Sequence, residues 1–165
     1  MKRRPMEHLW APWRIDYIRM EKPTGCFFCQ TAKQEPGNDN LMLLRGEKNF
    51  VLLNSFPYNP GHMMVAPLRH TGDLPGLDDA ELHEHFELVR RMVSVLEKSL
   101  HAQGLNVGIN LGAVGGAGVP DHLHTHIVPR WTGDTNFMPV VGSTKVLPQA
   151  LQDTYRILRN GLGSA

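Results

Sequence analysis

Three histidines at alternate positions, His122, His124 and His126, are the residues of this sequence best placed to do chemistry together. Alternate side chains of a β-strand share one face at a spacing of about 6.6–7 Å, so the three imidazoles would line one surface. Imidazoles give no packing advantage over valine or isoleucine there, but they place a neutral nucleophile or ligand beside groups of tunable pKa. The spacing predicts a catalytic strand. A metal-binding strand is the competing interpretation, because alternate histidines also suit zinc.

The loop that precedes these histidines is rich in glycine, with four glycines between residues 112 and 121. Backbone N–H groups of such a loop can turn inward and approach an anion closely, which is how a phosphate nest forms. The segment is neither a Walker loop, which needs Gly-Lys-Ser/Thr, nor a dinucleotide fingerprint, which needs a following helix. Next to a histidine nucleophile, the loop favours phosphoryl chemistry in which an imidazole attacks phosphorus.

The only two cysteines, Cys26 and Cys29, have the spacing of one half of a tetrahedral zinc site. The sequence holds no second Cys-x-x-Cys, so histidines would have to complete the site, and His70 and His122 are the candidates. The alternative interpretation is a pair of packed, reduced thiols. A thioredoxin-like redox role is disfavoured because no βαβ pattern surrounds the pair.

Composition narrows the class of protein and its partners. The chain has 165 residues, 41% of them hydrophobic, which predicts a single domain with its own core. Lysine and arginine total 17 against 16 acidic residues, and this near-balance argues against duplex nucleic acid as a partner. No apolar run approaches the ~18–20 residues that cross a bilayer, and no signal peptide opens the chain. We therefore expect a cytoplasmic protein with no membrane partner.

Hydrophobic alternation and turn residues predict five strands, over residues 41–45, 49–54, 62–66, 105–110 and 122–128. Residues 1–24 contain two tryptophans close together, which predicts an aromatic arm packed on a single domain over 25–165. Hairpin-like strands combined with two helices favour an α+β fold with an antiparallel sheet.

Two helices complete the predicted fold. A long central helix follows Asp78 and Asp79, and Gly104 is placed to end it. Its predicted apolar face repeats at steps of three and four: Leu82, Phe86, Val89, Val93, Leu96 and Leu100. Pro148 opens a final amphipathic helix. The remaining histidines of the central region are interpreted as helix-surface residues: His83, His85 and His101.

The segment 122–128 resembles the signature of the histidine triad (HIT) superfamily, although Thr125 is less apolar than the usual residue at that place. Residues 54–67 resemble the nucleotide-binding strand pair of the same superfamily. Three further segments, 9–14, 26–29 and 130–139, resemble the bacterial branch related to diadenosine tetraphosphate phosphorylase. Similar segments run from about residue 8 to the final helix, so the resemblance covers nearly the whole chain.

The resemblance implies an enzyme that cleaves dinucleoside polyphosphates through a covalent nucleotidyl intermediate on His124. His122, His126 and His62 would orient this nucleophile and tune the site. The implied substrate-binding residues are Asn54 at the ribose hydroxyls and Asn110 at the phosphates, with Gly116 and Gly118 in the loop beside them. Val119 stands where many members carry a small hydroxyl residue, so any role of that hydroxyl with the leaving group is absent or moved elsewhere.

The resemblance also implies a homodimer and a structural zinc ion held by Cys26, Cys29, His70 and His122, with no organic cofactor. It leaves the acceptor open, because breakdown of the intermediate by water gives a hydrolase and breakdown by phosphate gives a phosphorylase. The alternatives are a nucleotide-binding regulatory protein without turnover, a hydrolase of another nucleotide conjugate, and a zinc-dependent structural protein.

Overall fold

The computed structural model describes residues 25–135 and 149–163, and in these residues it places a five-stranded sheet with three helices. The elements in chain order are α1 (Phe27–Thr31), β1 (Met42–Arg45), β2 (Asn49–Leu53), β3 (Met63–Pro67), α2 (Asp79–Leu100), β4 (Gly104–Ile109), β5 (Thr125–Arg130) and α3 (Leu151–Leu162). The strand order is β1-β2-β3-β5-β4, and every neighbouring pair is antiparallel. The predicted α+β class is confirmed. The predicted aromatic arm over 1–24 and the helix start at Pro148 lie outside the described residues.

The sheet packs its two faces against different partners. One face meets α2 and α3 through a cluster that includes Val65 and Ile127, together with Met92 and Leu158 from the helices. The other face of β1–β3 is covered by α1, whose Phe28 packs among a second buried cluster. The β4–β5 end of this second face remains uncovered by any described helix.

Helix α2 begins and ends with recognisable capping. Asp78 accepts a hydrogen bond from the backbone N–H of Glu81, and the Glu81 side chain accepts from the N–H of Asp78, so the two form a capping box. The helix ends at Leu100, where His101 adopts a left-handed backbone with φ of 53°. The prediction that Gly104 ends the helix is wrong, because Gly104 is already the first residue of β4.

The predicted apolar face of α2 is rotated relative to the face that the structure buries. Leu82 and Phe86 are 38% and 47% exposed. The buried positions are Glu81, His85, Leu88, Val89, Met92, Val95 and Leu96. The prediction failed at the first turns because two polar residues, Glu81 and His85, are buried there with hydrogen-bonding partners from other elements.

The predicted strand boundaries differ from the structure where it matters for function. Strand β5 begins at Thr125 rather than at His122, because its pairing with β3 stops at the Val65–Thr125 pair. Before that point the chain bonds to the segment that follows β3, with the Leu123 N–H donating to the Thr71 carbonyl. Of the three alternate histidines, only His126 therefore lies within the paired strand.

No helix among the described residues has the length and apolar character needed to span a membrane.

Candidate functional site

His124 lies immediately before β5 and is only 4% exposed. Its Nδ1 lies 2.8 Å from the backbone carbonyl of His122, which can only accept a hydrogen bond, so Nδ1 carries the proton and Nε2 keeps its lone pair. The Phe28 ring packs against the imidazole, with a centroid separation of 4.9 Å. Burial lowers the pKa of His124 and favours the neutral ring. The side chain thus has the tautomer and charge of a nitrogen nucleophile.

His62 and His126 form a directly bonded pair next to His124. Nδ1 of His62 lies 3.1 Å from the backbone N–H of Tyr58, which can only donate, so a neutral His62 carries its proton on Nε2. This Nε2 lies 2.9 Å from Nδ1 of His126. A neutral His126 therefore accepts at Nδ1 and carries its proton on Nε2. The His126 and His124 ring centroids are 4.9 Å apart, which sets a proton donor beside the nucleophile.

A cleft of about 430 Å³ opens on the uncovered face of β4 and β5. His126 and Asn110 line it, as does Gly108, which lies opposite His126 in the β4–β5 pairing. The far wall is an ion pair in which Arg130 holds Asp134 with a closest distance of 2.6 Å. This pair holds the pKa of Asp134 far below its usual range, so the carboxylate stays charged. The cleft is large enough for part of a nucleotide.

The predicted substrate-binding residues fall in two places. Asn54 directly follows β2, where its Oδ1 accepts from the N–H of Phe56 and its Nδ2 lies 3.4 Å from Nδ1 of His62. Asn110 lines the cleft and its Nδ2 lies 3.3 Å from the carbonyl of Gly116. The structure thus places Asn54 with the histidine pair and Asn110 with the glycine loop.

The glycine loop over 112–121 has a compact form of its own. The N–H groups of Gly116 and Ala117 donate to the carbonyls of Ala113 and Gly112, inside the loop. Gly116 adopts φ of +88°, a left-handed backbone that favours glycine, and Gly118 is exposed. The N–H groups of residues 116 and 117 are therefore already engaged inside the loop in this conformation.

Four side chains from three segments converge on the other side of His124: Cys26, Cys29, His70 and His122. Their candidate ligand atoms all lie within 4.8 Å of one another. The separations between sulfur and nitrogen are 3.3, 3.3 and 3.6 Å, and the two Nδ1 atoms are 3.3 Å apart. Tetrahedral zinc with Zn–S near 2.3 Å and Zn–N near 2.0–2.1 Å has ligand edges of about 3.3–3.8 Å. The donor set therefore fits zinc in both chemistry and spacing.

The second ring nitrogen of His122 explains why its Nδ1 is available to a metal. Nε2 lies 2.8 Å from the carbonyl of Pro67 and must donate to it, which leaves the lone pair on Nδ1. A backbone carbonyl that orients a ligating histidine in this way is the usual outer-shell partner of zinc sites. The two ring nitrogens of His122 thus contact the cysteine–histidine cluster and Pro67, while its backbone carbonyl is bonded to His124.

The interpretation of the remaining histidines holds for two of them. His83 and His101 are exposed, as predicted. The prediction for His85 is wrong, because this residue is 1% exposed and bonded to Asn49 and Thr125.

Sequence reasoning also missed two groups of residues around the site. Tyr58 stacks on His62 at a centroid separation of 4.7 Å, and Phe28 lies against His122 and His124. The signal that could have found Phe28 is its position between the two cysteines, since a ligand pair fixes the residues between its members. The second missed group is the Arg130–Asp134 ion pair. A four-residue spacing predicts a contact when the segment is helical, and the sequence around these residues shows no helical pattern.

Comparison with known proteins identifies a family and several relatives of this chain. Residues 35–133 match the model of the HIT domain family. The chain is 36% identical to the AP-4-A phosphorylase of Mycobacterium tuberculosis, over 95% of this chain and 85% of that protein. It is also 38% identical to the asymmetrical bis(5'-nucleosyl)-tetraphosphatase of Schizosaccharomyces pombe, over 54% of this chain and 49% of that protein.

Among solved structures, the fold is similar to that of a Zn-bound histidine triad family protein from Mycobacterium smegmatis. The TM-score is 0.68 at 27% identity, and the superposition covers 85% of this chain and 94% of the other. The sequence match to the mycobacterial AP-4-A phosphorylase spans 95% of this chain, whereas the match to the HIT domain model is confined to residues 35–133.

Proposed function

The chain belongs to the HIT domain family, and from this membership we propose that it cleaves dinucleoside polyphosphates through a covalent nucleotidyl intermediate on His124. It is a HIT-family nucleotidyl transferase or hydrolase. The observation that carries the proposal is the hydrogen bond from His124 Nδ1 to the His122 carbonyl, because it leaves Nε2 bare. A protein that only bound nucleotides would have no need of a buried, tautomer-fixed imidazole at this place.

In the proposed first step, Nε2 of His124 attacks the α-phosphorus of the substrate. An N–P bond forms and the bond from phosphorus to the bridging oxygen breaks, so that a nucleoside polyphosphate leaves. The leaving polyphosphate keeps the electron pair of the broken bond and departs as an anion, and the Nε2–H of His126 donates a hydrogen bond to its oxygen. Nδ1 of His126 accepts from Nε2 of His62, which holds His126 in the tautomer that donates from Nε2. Covalent catalysis of this kind divides one hard phosphoryl transfer into two easier ones.

In the proposed second step, inorganic phosphate attacks the nucleotidyl-His124 and releases a nucleoside diphosphate. The 36% identity to the mycobacterial AP-4-A phosphorylase, over 95% of this chain, favours phosphate over water as the acceptor. The departing phosphorus restores the lone pair of His124 Nε2, so the enzyme returns to its starting state. The proposed substrate-binding residues are Asn54 at the ribose, with Asn110, Gly116 and Gly118 at the phosphates.

The proposal is tested by product analysis with diadenosine tetraphosphate, in the presence and absence of inorganic phosphate. ADP plus ATP formed only with phosphate supports the phosphorylase. AMP plus ATP formed without it identifies a hydrolase and overturns the choice of acceptor. A chain that binds AMP but never becomes labelled by α-³²P-substrate is a regulatory binder, which overturns the covalent mechanism.

We also propose that Cys26, Cys29, His70 and His122 hold a structural zinc ion. Two thiolates and two imidazoles make a closed tetrahedral shell, and a closed shell leaves no position for water or substrate. The ion would supply cohesion alone, since it ties α1 and the segment after β3 to the residues that precede β5. In this proposal His122 contributes to catalysis through its carbonyl, and its side chain belongs to the metal site. A homodimer remains part of the proposal for the protein as a whole.

Asn54 offers a test of the ribose assignment. We expect Asn54→Ala to weaken AMP binding roughly five- to thirtyfold, because a lost hydrogen bond of this kind costs about 1–2 kcal/mol. Isothermal titration calorimetry measures the affinity directly. Asn54→Asp keeps an acceptor for the ribose hydroxyls and loses the donor beside His62, so it should retain most of the affinity. If both variants bind AMP normally and only kcat falls, Asn54 acts through His62 and the ribose assignment is wrong.

Gly108 offers a test of where the substrate lies. A Cβ built on Gly108 meets no heavy atom within 4 Å, so a larger side chain would extend into the cleft beside His126 without a clash. We expect Gly108→Leu to reduce AMP affinity at least about tenfold while the melting temperature changes by less than about 3 °C. Gly104→Leu is the matched control, because Gly104 lies in the same strand with equal space but opposite Arg130. Equal effects of the two substitutions would place the substrate elsewhere.

A further inference from the structure

We propose that His85 and Thr125 form a buried positioning pair, which holds the start of β5 from the helix side of the sheet and so fixes His124. This role rests on the proposed function of His124. Nε2 of His85 lies 2.6 Å from Oγ1 of Thr125, and each residue is 1% exposed. The pair connects helix α2, through His85, to Thr125, which is the residue between His124 and His126.

The direction of each hydrogen bond in this chain of contacts can be assigned. Nδ2 of Asn49 donates to the carbonyl of Glu81 at 3.0 Å and lies 3.1 Å from the carboxylate of Glu84, so Oδ1 of Asn49 is the acceptor. Nδ1 of His85 lies 2.9 Å from that Oδ1 and donates to it. A neutral His85 then has its lone pair on Nε2, which accepts the hydroxyl proton of Thr125.

Every member of this network is anchored at a second point. The Glu84 carboxylate accepts from the backbone N–H groups of Glu47, Lys48 and Asn49, which fixes α2 to the turn between β1 and β2. Burial lowers the pKa of His85 to about 4, so the ring stays neutral and the acceptor at Nε2 persists at neutral pH. The Thr125 hydroxyl is therefore held in one rotamer by a rigid partner.

Because Thr125 directly follows His124 in the chain, the network can act on the position of His124. Pairing between β3 and β5 ends at Thr125, so His124 lies one residue beyond the last rung of that ladder. The side chain of Thr125 points to the helix face, whereas His124 and His126 lie on the opposite face. Holding the Thr125 side chain from α2 thus restrains the backbone on both sides of it, including the Cα from which His124 projects.

The hydrogen bond between Thr125 and His85 also accounts for the presence of both polar residues in a buried position. Thr125 is 1% exposed, and a valine in its place would bury more apolar surface. A threonine hydroxyl buried without a partner is destabilising, and His85 removes that cost. Packing alone accounts for neither residue, whereas a hydrogen bond between them accounts for both.

The test compares Thr125→Val, which deletes the hydroxyl, with Thr125→Ser, which keeps it. We expect kcat for diadenosine tetraphosphate to fall about ten- to hundredfold in the valine variant, because small misplacements of a nucleophile have effects of this size. KM and AMP affinity should stay within about twofold, since the substrate contacts are untouched. Thr125→Ser is expected to retain at least about a third of the wild-type kcat. A role confined to stability would lower the melting temperature and leave kcat of the folded protein unchanged.

A second readout does not depend on activity. In ¹⁵N spectra of the imidazole rings, wild-type His124 is expected to show the Nδ1–H tautomer alone, and the valine variant a mixture with the Nε2–H form. Unchanged kcat together with an unchanged tautomer in Thr125→Val overturns the positioning role. A wild-type protein without turnover overturns the proposed function instead, while the tautomer comparison still decides the role of the pair. Where Thr125→Val does not fold, His85→Phe removes the same hydrogen bond by changing its partner on α2.

Discussion

Replacement of His124 by alanine is expected to reduce turnover of diadenosine tetraphosphate by at least about a thousandfold, since no other group can form the covalent intermediate. The imidazole makes a hydrogen bond to the carbonyl of His122 and ring contacts with Phe28 and His126, so the fold should survive its loss. Steady-state rates measure the effect. Labelling with α-³²P-substrate followed by acid-free gel separation should show the phosphoramidate band in the wild type alone.

The matched control is His101→Ala, because His101 is an exposed histidine at the end of α2 and outside the site. It should keep full activity and full labelling. His126→Ala separates the two roles within the site, since loss of the hydrogen-bond donor slows departure of the leaving group but leaves the nucleophile in place. Retention of even a tenth of the wild-type rate in His124→Ala, in a preparation free of contaminating enzyme, would remove His124 from the mechanism.

Local sequence rules predicted the fold class and the shared face of the histidines, but they could not predict where the strand pairing stops. Alternation over 122–128 is equally compatible with a strand that starts at His122 or at Thr125. The boundary is set by β3, whose last paired residue opposite β5 is Val65, and by the bond from Leu123 to Thr71. Both are contacts between segments more than fifty positions apart along the chain.

The buried face of α2 is a second feature that local sequence rules could not predict. A pattern with steps of three and four identified a helix correctly, yet Leu82 and Phe86 point outward while Glu81 and His85 point inward. Burial of a polar side chain depends on a partner that hydrophobic periodicity does not contain. Glu81 meets Arg69, and His85 meets Asn49 and Thr125, so the inward face was decided by tertiary hydrogen bonds.

The candidate metal site could be predicted from the sequence because two of its four ligands are close together along the chain. Cys26 and Cys29 are three positions apart, a spacing that few structural roles require. The histidines are separated from Cys29 by 41 and 93 positions, and the sequence could only nominate them. The structure brings both nominated residues to the cysteines. What the sequence could not indicate is that Pro67 would accept from His122 and thereby direct the Nδ1 lone pair to the cluster.

Replacement of Cys26 by serine is expected to abolish zinc binding and to lower the melting temperature by about 10 °C or more. Structural zinc contributes its binding free energy to folding, and a loss of several kcal/mol corresponds to a shift of this size in a domain of this length. Metal analysis of protein purified without chelators should give about one zinc per wild-type chain and less than about 0.2 per variant chain. Differential scanning calorimetry measures the shift.

The same substitution should change turnover of the folded protein by less than about tenfold, because the carbonyl that orients His124 has supports other than the metal. His122 keeps its bond to Pro67, and Leu123 keeps its bond to Thr71. Chelation supplies the matched control: it should destabilise the wild type and leave Cys26→Ser unaffected, since the variant has no ion to lose. If the wild type holds less than about 0.2 zinc per chain and chelator does not move its melting temperature, Cys26 and Cys29 are ordinary thiols. In that event the Nδ1 of His122 has no ligand, and its side chain returns to the group of residues that surround His124.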